Sequence, residues 1–444
     1  MRKLTIALAL SATSFATAAE YRHSVRMVAD SQTTNTNSTQ KDKNAFSAEY
    51  RGRLKHTLSP SNQLYMDGRV LFTNDSVAYN AFDDSTSLQS TDSSDHVIFR
   101  LNEFWWQYEL LNSFEHNAIS VGLKRIKLSP HWIDDEIESI SWQLETTKMD
   151  LQLGVGEKLS TYNTTTSINE ENEGKLFVWT EIISDWKPYH HWTIRALYSN
   201  QHSDLEQADV TSLYANVLEG ELWWIGAGVA HNWQSIEDPT SAFGYSFEAI
   251  NLFGNGKLIS QQNSTWEDRS ISAFALLGGV HMKLTQDPFY LGATFAYGEG
   301  SSDGKSTFFQ SGLESNKNTY AGSRDALYQF NYAFDADLSN LMTGSIFSSY
   351  EFNESWSLTG AISHYQRADT SAPIARKQRW LPLEDGQKTL GTGLDLEATY
   401  RDNNLFSSSL KGRLRLRASH FLVDDNIPNF QDETRLRADL TIEL

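Results

Sequence analysis

The C-terminal stretch "TRLRADLTIEL" (residues 434–444) alternates strictly between polar and apolar side chains. Successive side chains of a β-strand point to opposite faces, so this stretch predicts an amphipathic strand. Its apolar face consists of Leu436, Ala438, Leu440, Ile442 and Leu444, and its polar face of Arg435, Arg437, Asp439, Thr441 and Glu443. Soluble β-sandwiches and transmembrane β-barrels both use such strands. The pattern of the remaining residues distinguishes these two classes of protein.

Similar alternating runs of roughly ten residues recur along the whole chain, whereas sustained helical periodicity does not. We identify eighteen runs, of which the eleventh, at residues 255–267, is followed by a tight outer turn at 268–270. Short connections alternate with long ones, as expected for the periplasmic turns and outer loops of a bacterial barrel. Residues 300–339 form the longest predicted outer loop. The pattern predicts an all-β, antiparallel transmembrane barrel of about 18 strands.

Composition supports one large domain rather than several sandwiches. No Pro-rich or Gly-rich linker interrupts residues 20–444, and a sandwich of this length would need repeated domain boundaries. The chain carries 13 Trp, 18 Tyr and 23 Phe despite its polar character. Outer-membrane barrels combine a polar lumen with aromatic girdles in this way.

The N-terminus predicts export. Arg2 and Lys3 precede an apolar run at residues 4–10, and Ala16-Thr17-Ala18 has the spacing of a signal peptidase site, so residues 1–19 read as a signal peptide. Removing two of the 37 basic residues leaves 35 against 56 acidic ones, a net charge near −21. That balance argues against nucleic acid as a partner. We therefore expect a Gram-negative outer-membrane protein in contact with lipid and lipopolysaccharide.

Basic residues concentrate on the face of the predicted strands that lipid does not contact. Because closure pairs the last strand with the first, strands 17, 18, 1, 2 and 3 should form one positive wall, to which strand 4 adds Arg100. These residues are Arg22, Arg26, Arg51, Arg53, Lys55, Arg69, Arg100, Lys411, Arg413, Arg415, Arg417, Arg435 and Arg437. Lumenal Glu49, Asp67 and Glu443 are too few to offset them, and most acidic residues, including Asp134–Glu136, fall in predicted outer loops.

The spacing of these cations points to a polymeric anion. Alternate residues on a tilted strand advance by about 5 Å along the pore axis, close to the rise of one sugar in an extended polyuronate. Each arginine offers a planar fork to a carboxylate. The sequence therefore predicts passive passage of an acidic polysaccharide or its oligosaccharides, such as an extended polyuronate. A general anion-leaning porin, whose basic ladder faces acidic residues, is the alternative.

Catalytic and metal chemistry finds little support. The chain has no cysteine, and its histidines are scattered. In Ser363-His364 and Ser419-His420 the two adjacent side chains must face opposite ways on a strand, so neither pair can join a nucleophile to its base. We predict no catalytic residue, metal or cofactor, and a barrel hydrolase or a structural anchor ranks last.

Several stretches resemble the alginate-export porin family, beginning with "RLNEFWWQYEL" (residues 100–110) and "ISVGLKRIKLSPHWIDDEIESISWQLE" (residues 119–145). The similarity continues in order over most of residues 99–404. It implies an eighteen-stranded monomeric barrel with an electropositive conduit for acidic polysaccharide. The positions carried over are Arg100, Glu103, Lys124 and Arg125, with Asp134 and Glu136 in the adjoining acidic loop. Lys124 departs from the Gly-Arg turn of the family, and the short connection at 402–406 leaves no inner plug after strand sixteen.

Overall fold

The computed structural model describes most of the chain after the predicted signal peptide, 18 residues of which lie outside it. The described residues are 19–34, 43–73, 97–110, 116–158, 162–163, 175–202, 219–233, 241–259, 266–284, 288–303, 305–376, 379–381, 383–405, 410–424, 427 and 431–444. No helix among these residues is long and apolar enough to cross a membrane.

Eighteen long strands form the main sheet. They are β1 Ala19–Thr34, β2 Lys43–Ser59, β3 Asn62–Thr73, β4 Val97–Glu109, β5 His116–Lys127, β6 Asp134–Glu145, β7 Met149–Glu157, β8 Lys175–Lys187, β9 His190–His202, β10 Glu219–His231, β11 Phe243–Ile259, β12 Trp266–Lys283, β13 Phe289–Gly298, β14 Leu341–Glu351, β15 Trp356–Arg367, β16 Thr389–Leu405, β17 Leu410–Val423 and β18 Glu433–Glu443.

Each strand pairs antiparallel with the next, and β18 pairs with β1 from Ser24 opposite Glu443 to Thr34 opposite Glu433. The sheet is therefore a closed barrel, and the predicted fold and strand number are confirmed. Short turns at residues 60–61, 188–189 and 352–355 lie at the end where the described chain starts and finishes. Short turns mark the periplasmic end of bacterial barrels.

Parity along each strand separates a lipid face from an inner face. Phe46, Ile346 and Leu436 are large apolar side chains that are more than half exposed on the outside. Their sequence neighbours Ser47, Ser345 and Arg437 are buried on the inside. Lipid contacts the outer face, so the outward side chains are apolar. Lipid cannot hydrogen-bond the backbone, so the sheet must also close on itself.

The predicted position of the eleventh strand is wrong. β11 is Phe243–Ile259 rather than residues 255–267, and the predicted turn at 268–270 lies inside β12. Gly254-Asn255-Gly256 has the composition of a turn, but here it continues the strand. Gly254 has φ +152, and a Cβ there would lie 2.1 Å from the carbonyl oxygen of Glu221, so the position requires glycine for close strand pairing.

The predicted outer loop at residues 300–339 is also wrong, because this part of the chain folds into the barrel. We call residues 299–340, of which all but Gly304 are described, the inserted segment. At its deepest point Arg324 donates hydrogen bonds to the carbonyl oxygens of Asn353, at 2.9 Å, and Glu354 in the periplasmic turn between β14 and β15. The inserted segment therefore runs from the outer end of the lumen to its periplasmic end.

Apolar packing holds the inserted segment in place. Phe308, Phe309, Phe330 and Phe334 share one buried cluster with inward-facing residues of the wall. The wall residues include Trp179 on β8, Leu197 on β9, Trp224 on β10 and Leu252 on β11. Burial of apolar area is the main stabilising term in such a contact. A shorter insertion at residues 128–133 adds Trp132 and Ile133 to the cluster.

Candidate functional site: a basic wall facing the inserted segment

The pairing order makes β17, β18, β1, β2 and β3 five consecutive strands of the barrel. We call their inner face the basic wall. Its predicted cations all have inward parity, while their neighbours Met27, Leu416 and Leu436 are exposed on the outside. Arg100 on β4 lies opposite Arg69 and extends the wall by one strand.

Asp439 is the centre of the wall. Its carboxylate accepts contacts from Arg26 of β1 at 2.6 Å, from Arg415 of β17 at 3.2 Å and from Arg437 of β18 at 3.1 Å. The Asp439 side chain is 4% exposed. One carboxylate therefore compensates arginines from three strands at the seam where the barrel closes.

Other carboxylates divide the remaining cations among them. The pairs are Arg435 with Asp30 at 2.8 Å, Arg437 with Asp30 at 3.7 Å, Arg417 with Glu397 at 2.8 Å, Arg69 with Glu49 at 3.2 Å, Arg53 with Asp67 at 3.3 Å, and Arg51 with Asp67. The expectation of too few acidic neighbours is wrong. Asp30 and Asp439 lie on the wall itself, and Glu397 reaches it from β16.

Exposure rises steeply toward the periplasmic end. The side chains of Arg417 and Arg437 are 4% and 2% exposed, whereas those of Arg53 and Arg22 are 35% and 70% exposed, although Arg22 contacts Glu20. Lys55 and Lys411 are exposed as well. Neither lysine forms an ion pair with another residue of the described ranges. An open cavity at this end is lined by Arg22, Arg53, Lys411 and Glu443. We call this region the periplasmic mouth.

One tyrosine of the inserted segment, Tyr332, packs against the outer half of the basic wall. The guanidinium carbon of Arg435 lies 3.9 Å from the Tyr332 ring centroid, a cation–π contact. The Tyr332 hydroxyl donates to Asp30 at 3.2 Å and accepts from Arg437 at 3.3 Å. Its backbone N–H donates to Asp395 at 3.1 Å. Sequence reasoning missed Tyr332 because it assigned this stretch to an outer loop.

A second contact lies deeper, near the periplasmic mouth. Asp325 of the inserted segment forms ion pairs with Arg413 of β17 and, at 3.5 Å, with Arg401 of β16. Thr399 donates its hydroxyl to the same carboxylate at 2.9 Å. Asp325 and Arg401 were both absent from the predicted site.

The positions carried over from the family resemblance separate into two environments. Glu103 accepts a hydrogen bond from the Trp105 indole at 3.0 Å, and the Lys124 ammonium lies 5.1 Å from the centre of that ring. Arg125, in contrast, has the outward parity of Val121 and pairs with Asp134 at 2.7 Å. Arg125 is therefore an ion-pair partner of the acidic residues that begin β6.

The acidic stretch that was predicted to lie in an outer loop begins a strand instead. Asp134, Asp135 and Glu136 are the first residues of β6. Glu136 contacts Arg100 at 3.3 Å, and Asp135 pairs with Lys158. These carboxylates are thus structural partners of cations at the outer rim.

The contact between the two inserted pieces places titratable groups in the lumen. Burial lowers the pKa of His131, whose Nδ1 lies 3.4 Å from the Asn316 amide oxygen. Burial raises the pKa of the Glu314 carboxyl, which accepts the Gly312 N–H at 2.8 Å. Both shifts favour the uncharged forms. The Ser311 hydroxyl also donates to the Trp132 carbonyl at 3.1 Å, so hydrogen bonds and packing join the two pieces.

Within the described ranges, no group of three or more His, Cys, Asp or Glu side chains could hold a metal ion. Ser363 is buried and donates to Ser345 at 2.7 Å, whereas His364 is exposed on the opposite face of β15.

Comparisons with known proteins agree with this architecture. A family model described as "Alginate export" matches residues 73–439. The "Alginate production protein AlgE" of Pseudomonas syringae pv. tomato is 28% identical over 381 residues, covering 76% of this chain and 73% of that protein. The protein of the same name from Pseudomonas aeruginosa is 27% identical over 368 residues, covering 78% and 74%.

A solved structure shows the same fold at low sequence identity. The crystal structure of Pseudomonas aeruginosa OccK9 (OpdG) matches with a TM-score of 0.64 at 11% identity, covering 96% of this chain and 98% of that one. The matched family model spans most of the barrel, and the strands close as the sequence predicted. The chain therefore belongs to the alginate export family and is a β-barrel of the Gram-negative outer membrane.

Proposed function

We propose that this protein is a passive channel for an acidic polysaccharide, alginate or its oligomers, which reaches the lumen through the cationic periplasmic mouth. The observation that carries the proposal is the set of exposed or partly exposed cations at that mouth, Arg22, Arg53, Lys55, Lys411 and Arg413, of which Lys55 and Lys411 form no ion pair within the described ranges. The names of the relatives, which refer to alginate production, support alginate as the polymer. Low-dielectric walls around such a cluster focus its field and raise the local concentration of anions.

The predicted roles now differ along the basic wall. We propose that the exposed cations of the mouth make the first weak contacts with the carboxylates of the polymer, as conduction requires. Arg26, Arg415, Arg417, Arg435 and Arg437 are already compensated by carboxylates of the barrel. A polymer that binds these arginines must compete with their carboxylate partners. The inserted segment must also move to make room for it.

Removing two mouth cations should weaken polymer binding. In the variant K55Q/K411Q we expect the anion preference to fall and the dissociation constant of an oligouronate to rise about tenfold, because each lost charge removes a partner of the anion. Reversal potential under a salt gradient and current block by the oligouronate in planar bilayers measure the two effects. The matched control K148Q/K187Q removes equal charge from other turns at the periplasmic end and should leave both values unchanged. Cation selectivity of the wild type without oligouronate block would refute the proposal.

The internal compensation of the wall favours one alternative, a general anion-leaning porin for small solutes. That alternative predicts a shifted reversal potential and no length-dependent block by oligouronates. In either case we propose that the barrel works without catalysis, as a monomer in contact with outer-membrane lipid and lipopolysaccharide. Ester hydrolysis by the purified protein would contradict the absence of catalysis.

A further inference from the structure

The tip of the inserted segment is built around one carboxylate. The Asp325 residue is 9% exposed, and its carboxylate contacts two guanidinium groups and one hydroxyl, from Arg413, Arg401 and Thr399. All three donors belong to the barrel, at the periplasmic ends of β16 and β17. Two arginines and a hydroxyl around one carboxylate form a complete anion site.

We propose that Arg401, Arg413 and Thr399 form a binding site for a sugar carboxylate, which Asp325 occupies in this structure as an internal substitute. This inference rests on the proposed function and adds to it the chemistry of one subsite. Arginine forks bind any carboxylate of suitable reach, so a uronate of the substrate can make the contacts that Asp325 makes. The Asp325 carboxylate at the tip of the inserted segment is thus displaced from the site when the substrate takes over its contacts, while the apolar cluster still holds the rest of the segment.

The surroundings suit such an exchange. Although Asp325 is nearly buried, the side chains of Arg413 and Arg401 are 38% and 43% exposed, so an incoming anion meets them before Asp325 leaves. Lys411 lies two residues from Arg413 on the same strand and is exposed. A polymer carboxylate held at Lys411 would place the next sugar close to Arg413.

Contacts that do not involve the Asp325 carboxylate keep the tip near the site after the exchange begins. Arg324 donates to the backbone carbonyl of Asn353 at 2.9 Å and lies 3.5 Å from the Glu351 carboxylate. Arg401 also donates to the Arg324 carbonyl at 2.6 Å. Because Asp325 is tethered, its effective concentration at the site is on the order of millimolar or more. A single uronate should therefore compete poorly, whereas a polymer with several carboxylates should compete well.

The test replaces the internal carboxylate. In Asp325→Asn we expect the oligouronate to bind about tenfold more tightly in planar bilayers, because the competitor is gone. We also expect glucuronate monomer, which should block the wild type only weakly, to block the variant at a lower concentration. Asp303→Asn removes the same charge from the outer end of the inserted segment and should bind both ligands as the wild type does. Equal affinities in Asp325→Asn and the wild type would overturn the inference.

The double variant Asp325→Asn with Arg413→Gln separates binding from structure. If Arg413 is the carboxylate ligand, the gain in oligouronate affinity disappears in the double variant. If Asp325 only stabilises the tip, Asp325→Asn lowers the unfolding temperature without any gain in affinity, and the inference fails. Wild-type block by oligouronate, measured in the same series, tests the proposed function independently of either result.

Movement of the tip has its own readout. The chain contains no cysteine, so Ala326→Cys introduces a single thiol beside Asp325. Oligouronate should accelerate maleimide labelling of this thiol several-fold, and the uncharged oligosaccharide maltohexaose should not. Labelling that oligouronate leaves unchanged, or slows, would show that the carboxylate of the substrate does not displace the tip.

Discussion

Replacing residues 301–338 with a Gly-Ser-Gly-Ser linker should raise the single-channel conductance roughly fivefold or more, because the inserted segment fills much of the wide aqueous lumen that an eighteen-stranded barrel encloses. The strand ends permit the deletion. Gly298 of β13 pairs directly with Leu341 of β14, so a short hairpin loop can join them. Current through single channels in planar bilayers measures the result.

Folding of the deletion variant has to be shown separately. The deletion exposes Trp179, Trp224 and Leu252 to water, which lowers the stability of the folded barrel but leaves its strand pairing intact. Retarded or accelerated migration of unheated protein in detergent gels reports whether the barrel is closed. A folded variant with wild-type conductance would show that ions do not pass through the space that the inserted segment fills.

Substituting alanine for Asp439 should destabilise the barrel by about 3–5 kcal/mol, because three arginines lose their shared buried carboxylate. Arg437 is 2% exposed and Arg415 is 9% exposed, so water cannot replace Asp439 at either side chain. Urea unfolding of the protein in lipid vesicles, followed by tryptophan fluorescence, measures the loss.

Glu443→Ala is the matched control, since Glu443 lies four residues along the same strand with the same inward parity but is exposed. Its free energy of unfolding should change by no more than about 0.5 kcal/mol. Similar losses in the two variants would indicate that Asp439 contributes only general negative charge. An unchanged urea midpoint for Asp439→Ala would contradict the stabilising role of Asp439 as the shared buried partner of the three arginines.

Strand number and the inward direction of the basic residues could be predicted from the sequence for one reason. Lipid outside and polar groups inside impose a period of two on every strand, and Arg413 or Arg435 must then face inward opposite an apolar neighbour. The same rule located Asp439 on the inner face. Its contacts with Arg26 and Arg415 could not be predicted, because they depend on the stagger between strands rather than on parity.

The inserted segment was beyond local sequence reasoning. Residues 300–339 have no regular period, and their burial depends on an apolar surface contributed by distant strands. One signal was present. Leu222-Trp223-Trp224-Ile225 is apolar on both faces, and a strand with two apolar faces needs cover on both sides. Lipid covers Trp223 and Ile225, so Leu222 and Trp224 required cover from inside the lumen.

The subsite at the tip of the inserted segment also could not be predicted from the sequence. Arg413 was assigned to the basic wall by its parity, but the partner that holds it, Asp325, comes from a region that was placed outside the barrel. Arg401 was not assigned to the site. Parity finds which side chains share a compartment, whereas the identity of their neighbours follows only from the folded chain.

The Arg26–Asp439 pair joins residues 413 positions apart in the sequence, across the seam between the first and last strands. A sheet in which only some of the strands have paired does not bring these two groups together. The pair can therefore form only after every intervening hairpin has assembled. Contacts of such long range carry a large loop-closure cost and form late in folding. A fluorescence or crosslinking reporter at this seam would consequently time the final step of biogenesis, the moment when an open ribbon becomes a pore.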